Sequence, residues 1–286
     1  MPITILDGPI GTELLARGVA TPLPGWSAHA IETAPEVIAA IHRDYSAAGA
    51  KIHRANTFRT QKRIFPDKWE ELTAKAVQIC RDAISSGGGG AVAGSIAPLE
   101  DCYRPDLSPA HPAAEHCEMA RALAEAGCDM LICETFPSAR EGLIALEQAA
   151  GTGLPVFISF TAGPKADLLT PRQMRDAART AAGLGAMAVM VNCTPASKTL
   201  AYVRALAEGV AGVPHKVAVG AYANAGSADE KMGWMNPTEK DVAKAARRYA
   251  DLAEKWVEAG ARVVGSCCGT GPGHIAELAR RFSHLS

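Results

Sequence analysis

No stretch of the chain approaches the roughly 18 consecutive apolar residues needed to span a bilayer. Its opening, MPITILDGPIGTE, has neither the charged nor the apolar segment of a secretory leader. Both absences predict a soluble, cytoplasmic protein with no membrane partner. Excess positive charge is also missing: 29 Lys and Arg stand against 30 Asp and Glu, with no basic cluster interleaved with aromatics, which argues against nucleic acid. There is no HExxH motif, and His111 and His116, five apart, do not share a helical face, so histidine-based zinc hydrolysis lacks its ligands. No Pro/Ser-rich hinge divides the 286 residues, so a single domain over 1–286 is the economical reading. The eight cysteines, with no secretion signal, are expected to stay reduced, which directs the adjacent pair Cys267-Cys268 toward metal or catalysis before disulfide.

What is present is a repeated alternation of short apolar runs with amphipathic stretches. The predicted strands are Ile3 to Asp7, Lys51 to Thr57, Ala91 to Ile96, Met130 to Thr135, Val156 to Ala162, Ala188 to Cys193, Val217 to Asn224 and Arg262 to Cys268. The second, containing IHRANT, is mostly polar. Predicted helices cover Pro35 to Gly49, Trp69 to Ser86, Pro112 to Gly127, Ser138 to Ala150, Pro171 to Gly185, Ser197 to Glu208, Thr238 to Gly260 and Pro272 to Phe282, several opening at Pro or Ser and closing at Gly. Eight successive βα units predict an α/β fold, a single-domain (β/α)8 TIM barrel. The GGGG at 87–90 precedes a strand, so it is a linker and not a phosphate cradle. The segment from Gly18 to Thr33 reads as a decorated first βα loop.

In such a barrel the chemistry sits where strands end. Those ends carry Asp7-Gly8, Asn56-Thr57, Glu134-Thr135, Asn192-Cys193, Tyr222-Ala223-Asn224 and Ser266-Cys267-Cys268. Strands six and eight are one neighbour apart around the ring, so Cys193 can meet Cys267 and Cys268 across the mouth. Three thiolates favour Zn²⁺ and leave its fourth tetrahedral position open, as catalytic sites do. The bland alternative makes them small buried apolar residues. The other five cysteines, Cys80, Cys102, Cys117, Cys128 and Cys133, show no ligand spacing and receive no function. The loop from Gly269 to Ile275 is either an anion-binding turn of backbone amides or a tight turn carrying the cysteine pair. Glu134 closes an otherwise apolar strand and needs a cationic partner, either a substrate ammonium or a nearby Arg.

These residues resemble a known family, the zinc-dependent homocysteine S-methyltransferases. It includes betaine-homocysteine and S-methylmethionine-homocysteine methyltransferases and the homocysteine domain of cobalamin-dependent methionine synthase. The resemblance covers nearly the whole chain and rests on DGPIGTELLARG at 7–18, ANTF at 55–58, GSIAP at 94–98, ETFPSAREG at 134–142, VNCTP at 191–195, AYANAG at 221–226 and GSCCGTGPGHI at 265–275. It implies that Cys193, Cys267 and Cys268 hold zinc, that Glu134 and Asp7 contact the substrate amino group, that Thr57 lies near the carboxylate, and that Gly8 offers backbone at close range. Asn224 resembles the family's Asn in a Pro-Asn dipeptide, with Ala223 here in place of the proline. The segment LEDCYRPD after GSIAP also departs from the family pattern and is a candidate for donor selection.

The reaction so implied is zinc-dependent methyl transfer to the thiol of homocysteine, giving methionine, with no catalytic residue beyond the activated substrate thiolate. S-Methylmethionine or S-adenosylmethionine is the expected donor; betaine, or another donor or thiol acceptor, is the alternative. Trp26, Trp234 and Tyr222 are candidates to face an onium donor through cation–π contact. Two readings of other classes compete: a barrel lyase or aldolase using Glu134 and the eighth loop, and a zinc-binding or redox-sensing scaffold without catalysis.

Overall fold

The computed structural model describes residues 2–85, 88–233 and 239–283. Its strands are β1 Thr4–Ile5, β2 Ile52–Arg54, β3 Ala91–Ile96, β4 Met130–Phe136, β5 Val156–Phe160, β6 Ala188–Pro195, β7 Ala218–Asn224 and β8 Ala261–Ser266. Each is followed by a helix: α1 Pro35–Ala47, α2 Trp69–Ser85, α3 Ala113–Glu125, α4 Ala139–Ala150, α5 Pro171–Gly183, α6 Ala196–Val210, α7 Glu239–Glu258 and α8 Pro272–Phe282. All strand pairings are parallel and follow chain order from β2 to β8, with β8 then pairing β1. Between β1 and β2 the ring closes through a single parallel bridge, Leu6 to Ile52. Two backbone hydrogen bonds support it, Asp7 N–H to the Ile52 carbonyl at 3.0 Å and Lys51 N–H to the Ile5 carbonyl at 2.8 Å. The expected (β/α)8 barrel is therefore present, with its thinnest pairing at this seam.

Alternation along the strands produces two apolar layers. Leu6, Ile52, Met130, Ile132, Met190 and Val263 fill the barrel, and the larger layer lies between the strands and the surrounding helices. The predicted second strand looks polar in sequence because its polar residues are the buried ones: His53 and Arg54 on β2, and Asn56 and Thr57 in the loop just after it, are all in the interior.

Local signals fix the helix ends. Thr170 and Gln173 form a reciprocal capping box at the start of α5, and the Ser138 hydroxyl accepts from the Glu141 N–H at the start of α4. Gly127 and Gly185 close turns after α3 and α5 with φ of 88° each, the left-handed geometry that glycine adopts without strain. The connection after β1 holds two short helices, Gly11–Ala16 and Ala30–Thr33, as a decorated loop should. β4 and β6 run past their expected ends, to Phe136 and Pro195, because each contains a register shift. Thr135 (φ 65°) and Cys193 (φ 49°) stand at those shifts in left-handed conformations. A bulge of this kind redirects a side chain at a barrel rim. Gly88 to Gly90 lead into β3 as a linker, while Gly87, Ser86 and Thr238 lie outside the described residues.

Candidate metal and substrate site

Cys193, raised by the β6 bulge, and Cys267 and Cys268, in the turn after β8, bring their three sulfurs within 4.8 Å of one another. The Cys267 and Cys268 sulfurs are 4.0 Å apart. Backbone bonds from β7 hold the pair: Cys267 N–H donates to the Ala223 carbonyl at 2.9 Å, and Ala225 N–H donates to the Cys268 carbonyl at 3.0 Å. Tyr249 of α7 donates its hydroxyl to the carbonyls of Ala223 and Gly265, each at 2.9 Å, tying β7 to β8 beneath the cysteines. The Asn224 amide donates to the Cys193 carbonyl at 3.1 Å and its carbonyl oxygen accepts from Gly226 N–H. The alanine at 223 thus keeps a defined loop through its own carbonyl.

The three thiols act electrostatically as one group. Cys267 is held well below the ordinary thiol range, chiefly by the hydrogen bond from the Cys193 thiol and then by that from Cys268. Cys193 is pushed up, first by that same bond to Cys267. Cys268 is pushed up as well, its bond to Cys193 being outweighed by that to Cys267 and by burial, so one thiolate is shared among three soft sulfurs, a donor set that fits a divalent ion such as zinc. Among the described residues no fourth His, Cys, Asp or Glu joins this cluster.

The polar groups of the turn from Gly269 to Ile275 are already bonded within the protein. Gly271 N–H donates to His274 Nδ1, Thr270 Oγ1 donates to the Cys267 carbonyl at 2.7 Å, and Gly269 N–H donates to Thr12. Of the two roles open in sequence, the structure favours the tight turn that carries the cysteine pair.

Beside the sulfurs opens a cavity of about 450 Å³, whose lining includes Gly8, Glu134, Asn224 and all three cysteines. Glu134 has the cationic partner its burial demands, and that partner is Arg54. The Arg54 guanidinium reaches Glu134 at 3.0 Å and Asp7 at 2.7 Å, and lies 4.7 Å above the Tyr222 ring. It also donates to the carbonyls of Gly8 and Ser266. Tyr222 and Ser95 donate their hydroxyls to the Glu134 carboxylate. Two buried carboxylates share one buried guanidinium, so the ensemble keeps one negative charge facing the cavity.

Asp7 and Thr57 are fully buried and stand outside the lining. Asp7 holds the Arg54 backbone N–H and Nε. Thr57 Oγ1 donates to the Ser95 carbonyl and accepts from Ser95 N–H, both at 2.9 Å. Gly8 lines the cavity and tolerates no side chain, since an added Cβ would lie 2.5 Å from the Tyr45 hydroxyl. Of the three aromatics considered for a donor, Trp26 lines the cavity, Tyr222 is fully buried beneath Arg54, and Trp234 lies outside the described residues.

Among the lining residues given no individual role from sequence are Arg54, Cys102 and Tyr103. Burial pushes the Cys102 thiol up to about 12. Tyr103 is also pushed up, first by its electrostatic coupling to Cys193 and then by burial, which places its hydroxyl in the field of the trio. Both belong to LEDCYRPD, the segment already set apart by its departure from the family pattern.

The family model for homocysteine S-methyltransferase matches residues 4–282. The chain belongs to the homocysteine S-methyltransferase family. It is 31% identical over 304 aligned positions to homocysteine S-methyltransferase of Escherichia coli (strain K12), covering 98% of this chain and 95% of that protein. It is 25% identical to selenocysteine Se-methyltransferase of Brassica oleracea var. italica, over 97% of this chain and 88% of the relative. Among solved structures it resembles the metallated form of the homocysteine methyltransferase MmuM from Escherichia coli, with a TM-score of 0.80, 27% identity, and coverage of 98% of this chain and 96% of that one. The oxidised and apo forms of MmuM give TM-scores of 0.78 and 0.73. No helix among the described residues is long and apolar enough to cross a membrane.

Proposed function

We propose that this homocysteine S-methyltransferase family member transfers a methyl group to the thiol of homocysteine, giving methionine, at a zinc ion held by Cys193, Cys267 and Cys268. The observation that carries this reading is the position of the three sulfurs at the wall of a cavity that also presents Glu134 with a residual negative charge. Zinc bound there supplies the chemistry that a free thiol lacks near neutral pH, removal of its proton on coordination.

The chain's own residues bind and orient. Glu134 takes the substrate ammonium and completes the charge balance with Asp7 and Arg54. Asp7 serves the pocket by fixing Arg54, and Thr57 by fixing Ser95, whose hydroxyl donates to Glu134. Gly8 lets the substrate approach the backbone, and Asn224 holds the Cys193 carbonyl. Direct displacement requires positioning and a thiolate, with no protein general base. Reduced thiols of this kind suit a cytoplasmic setting.

S-Methylmethionine or S-adenosylmethionine is the donor we favour. Trp26, Phe58 and Tyr103 line the same cavity, and aromatic faces attract a sulfonium charge. The scaffold reading predicts a closed site with a fourth protein ligand, and the cluster offers three. The test is methionine formation from homocysteine with S-methylmethionine, S-adenosylmethionine, betaine and methyl-folate offered in turn. Turnover with a sulfonium donor is expected. Failure with every donor contradicts homocysteine as the acceptor.

A further inference from the structure

A second group of ligand-bearing side chains lies outside the cavity, behind the seam of the barrel. Asp7 after β1, His53 on β2 and His42 on α1 bring a carboxylate oxygen and two ring nitrogens within 4.8 Å of one another. All three residues are fully buried. None of the four ring nitrogens of His42 and His53 makes a hydrogen bond of good distance and angle, His53 having only weak approaches to the Ala50 and Gly89 backbone, although buried polar atoms almost always find a partner. No hydrogen bond joins the two imidazoles to each other or to Asp7. Ligands about 2.1 Å from a shared tetrahedral ion would sit roughly 3.4 Å apart, a spacing that small side-chain rotations attain.

Both rings are in the neutral form a metal requires. Burial lowers His42 to about 3. It also lowers His53, with the Asp7 charge and the nearby Ala50 and Gly89 backbone offsetting part of the effect.

We propose that Asp7, His42 and His53 form a second metal site, for a divalent first-row transition ion such as zinc, separate from the cysteine trio. Two imidazoles and a carboxylate are a harder donor set than three thiolates and suit Zn²⁺, Co²⁺ or Ni²⁺. Asp7 keeps its bonds to the Arg54 backbone N–H and Nε, because each carboxylate oxygen has a further lone pair. The ion joins α1 to both strands of the seam, where β1 and β2 share one bridge. Full burial of the ligands means that it enters as the chain folds.

The test uses the full chain carrying Cys193→Ser, Cys267→Ser and Cys268→Ser together, refolded from chelator with Co²⁺ and desalted. One retained equivalent is expected, with visible d–d bands, no thiolate-to-cobalt charge transfer, and a Tm above that of the same chain refolded without metal. Adding His53→Gln should lower the retained cobalt at least tenfold. No retained cobalt, or an equivalent insensitive to both His53→Gln and His42→Gln, overturns the site. Should the triple variant fail to fold, the parent chain is titrated instead: an equivalent of cobalt with d–d bands and no thiolate charge transfer supports the site, and its absence overturns it. Neither result depends on zinc binding by the trio.

Discussion

Arg54 carries more of the site than its place in the sequence suggests. Within IHRANT it looks like one polar residue in a weakly apolar run, because strand periodicity reports which face a side chain takes and says nothing of a charge that crosses to partners just after β1 and on β4. The cysteines were easier to read, since each stands at a strand end in glycine-rich or polar surroundings. The need of Glu134 for a cation was also legible, but choosing between a substrate and an Arg required the packing. Replacing Arg54 by Met leaves Asp7 and Glu134 buried without their shared cation, and should cost about 3–5 kcal/mol in urea unfolding. An unchanged midpoint would show that the triad is not a stabilising unit.

His42 makes a second prediction at this scale. Its folded value of about 3 lies below the ordinary 6.5, so between them the unfolded chain binds the extra proton. Stability from the neutral ring is complete above 6.5 and is lost as pH falls through that window, by about 2 kcal/mol on going from pH 7 to pH 5. Urea midpoints of chelator-treated protein should show that decline, and His42→Gln should flatten it.

At the scale of elements, the alternation of strands and helices was readable throughout, because apolar runs, Pro and Ser starts and Gly stops all agree. β1, β2, β5 and β8 stop short of their predicted ends, whereas the two strands that overrun have a common origin. β4 and β6 extend beyond their apolar runs through bulges at Thr135 and Cys193, and a bulge is a backbone event without a compositional signature. The bulge at Cys193 aims its sulfur at the pair on the β8 turn. Asn192 braces both bulges: its carbonyl oxygen accepts from Thr135 N–H and its amide donates to Thr135 Oγ1. β7 and β8 are similarly tied by Tyr249, so Tyr249→Phe should cost about 1–3 kcal/mol, since two buried carbonyls lose their donor. The same variant should weaken zinc retention about tenfold or more against a competing chelator, as loss of supporting contacts around metal ligands commonly does. Unaltered retention would confine Tyr249 to a folding role.

Across the whole molecule, the barrel gathers onto one rim residues from strands far apart in the sequence. Sulfur comes from β6 and β8, carboxylate from β4, guanidinium from β2 and aromatic wall from the loops after β1, β2 and β3. Fold class and the meeting of the three cysteines were accessible from sequence because they depend on strand order and strand ends. The cavity wall was less accessible, since loop residues such as Cys102 and Tyr103 reach the site only through the path of their backbone. The claim that unites these parts is that homocysteine sulfur becomes the fourth ligand of an ion held by three protein sulfurs. X-ray absorption at the zinc edge of the loaded protein tests it directly. Three sulfur scatterers with one lighter neighbour are expected before homocysteine is added and four sulfurs afterwards; an unchanged spectrum, or four protein ligands from the start, would contradict that coordination.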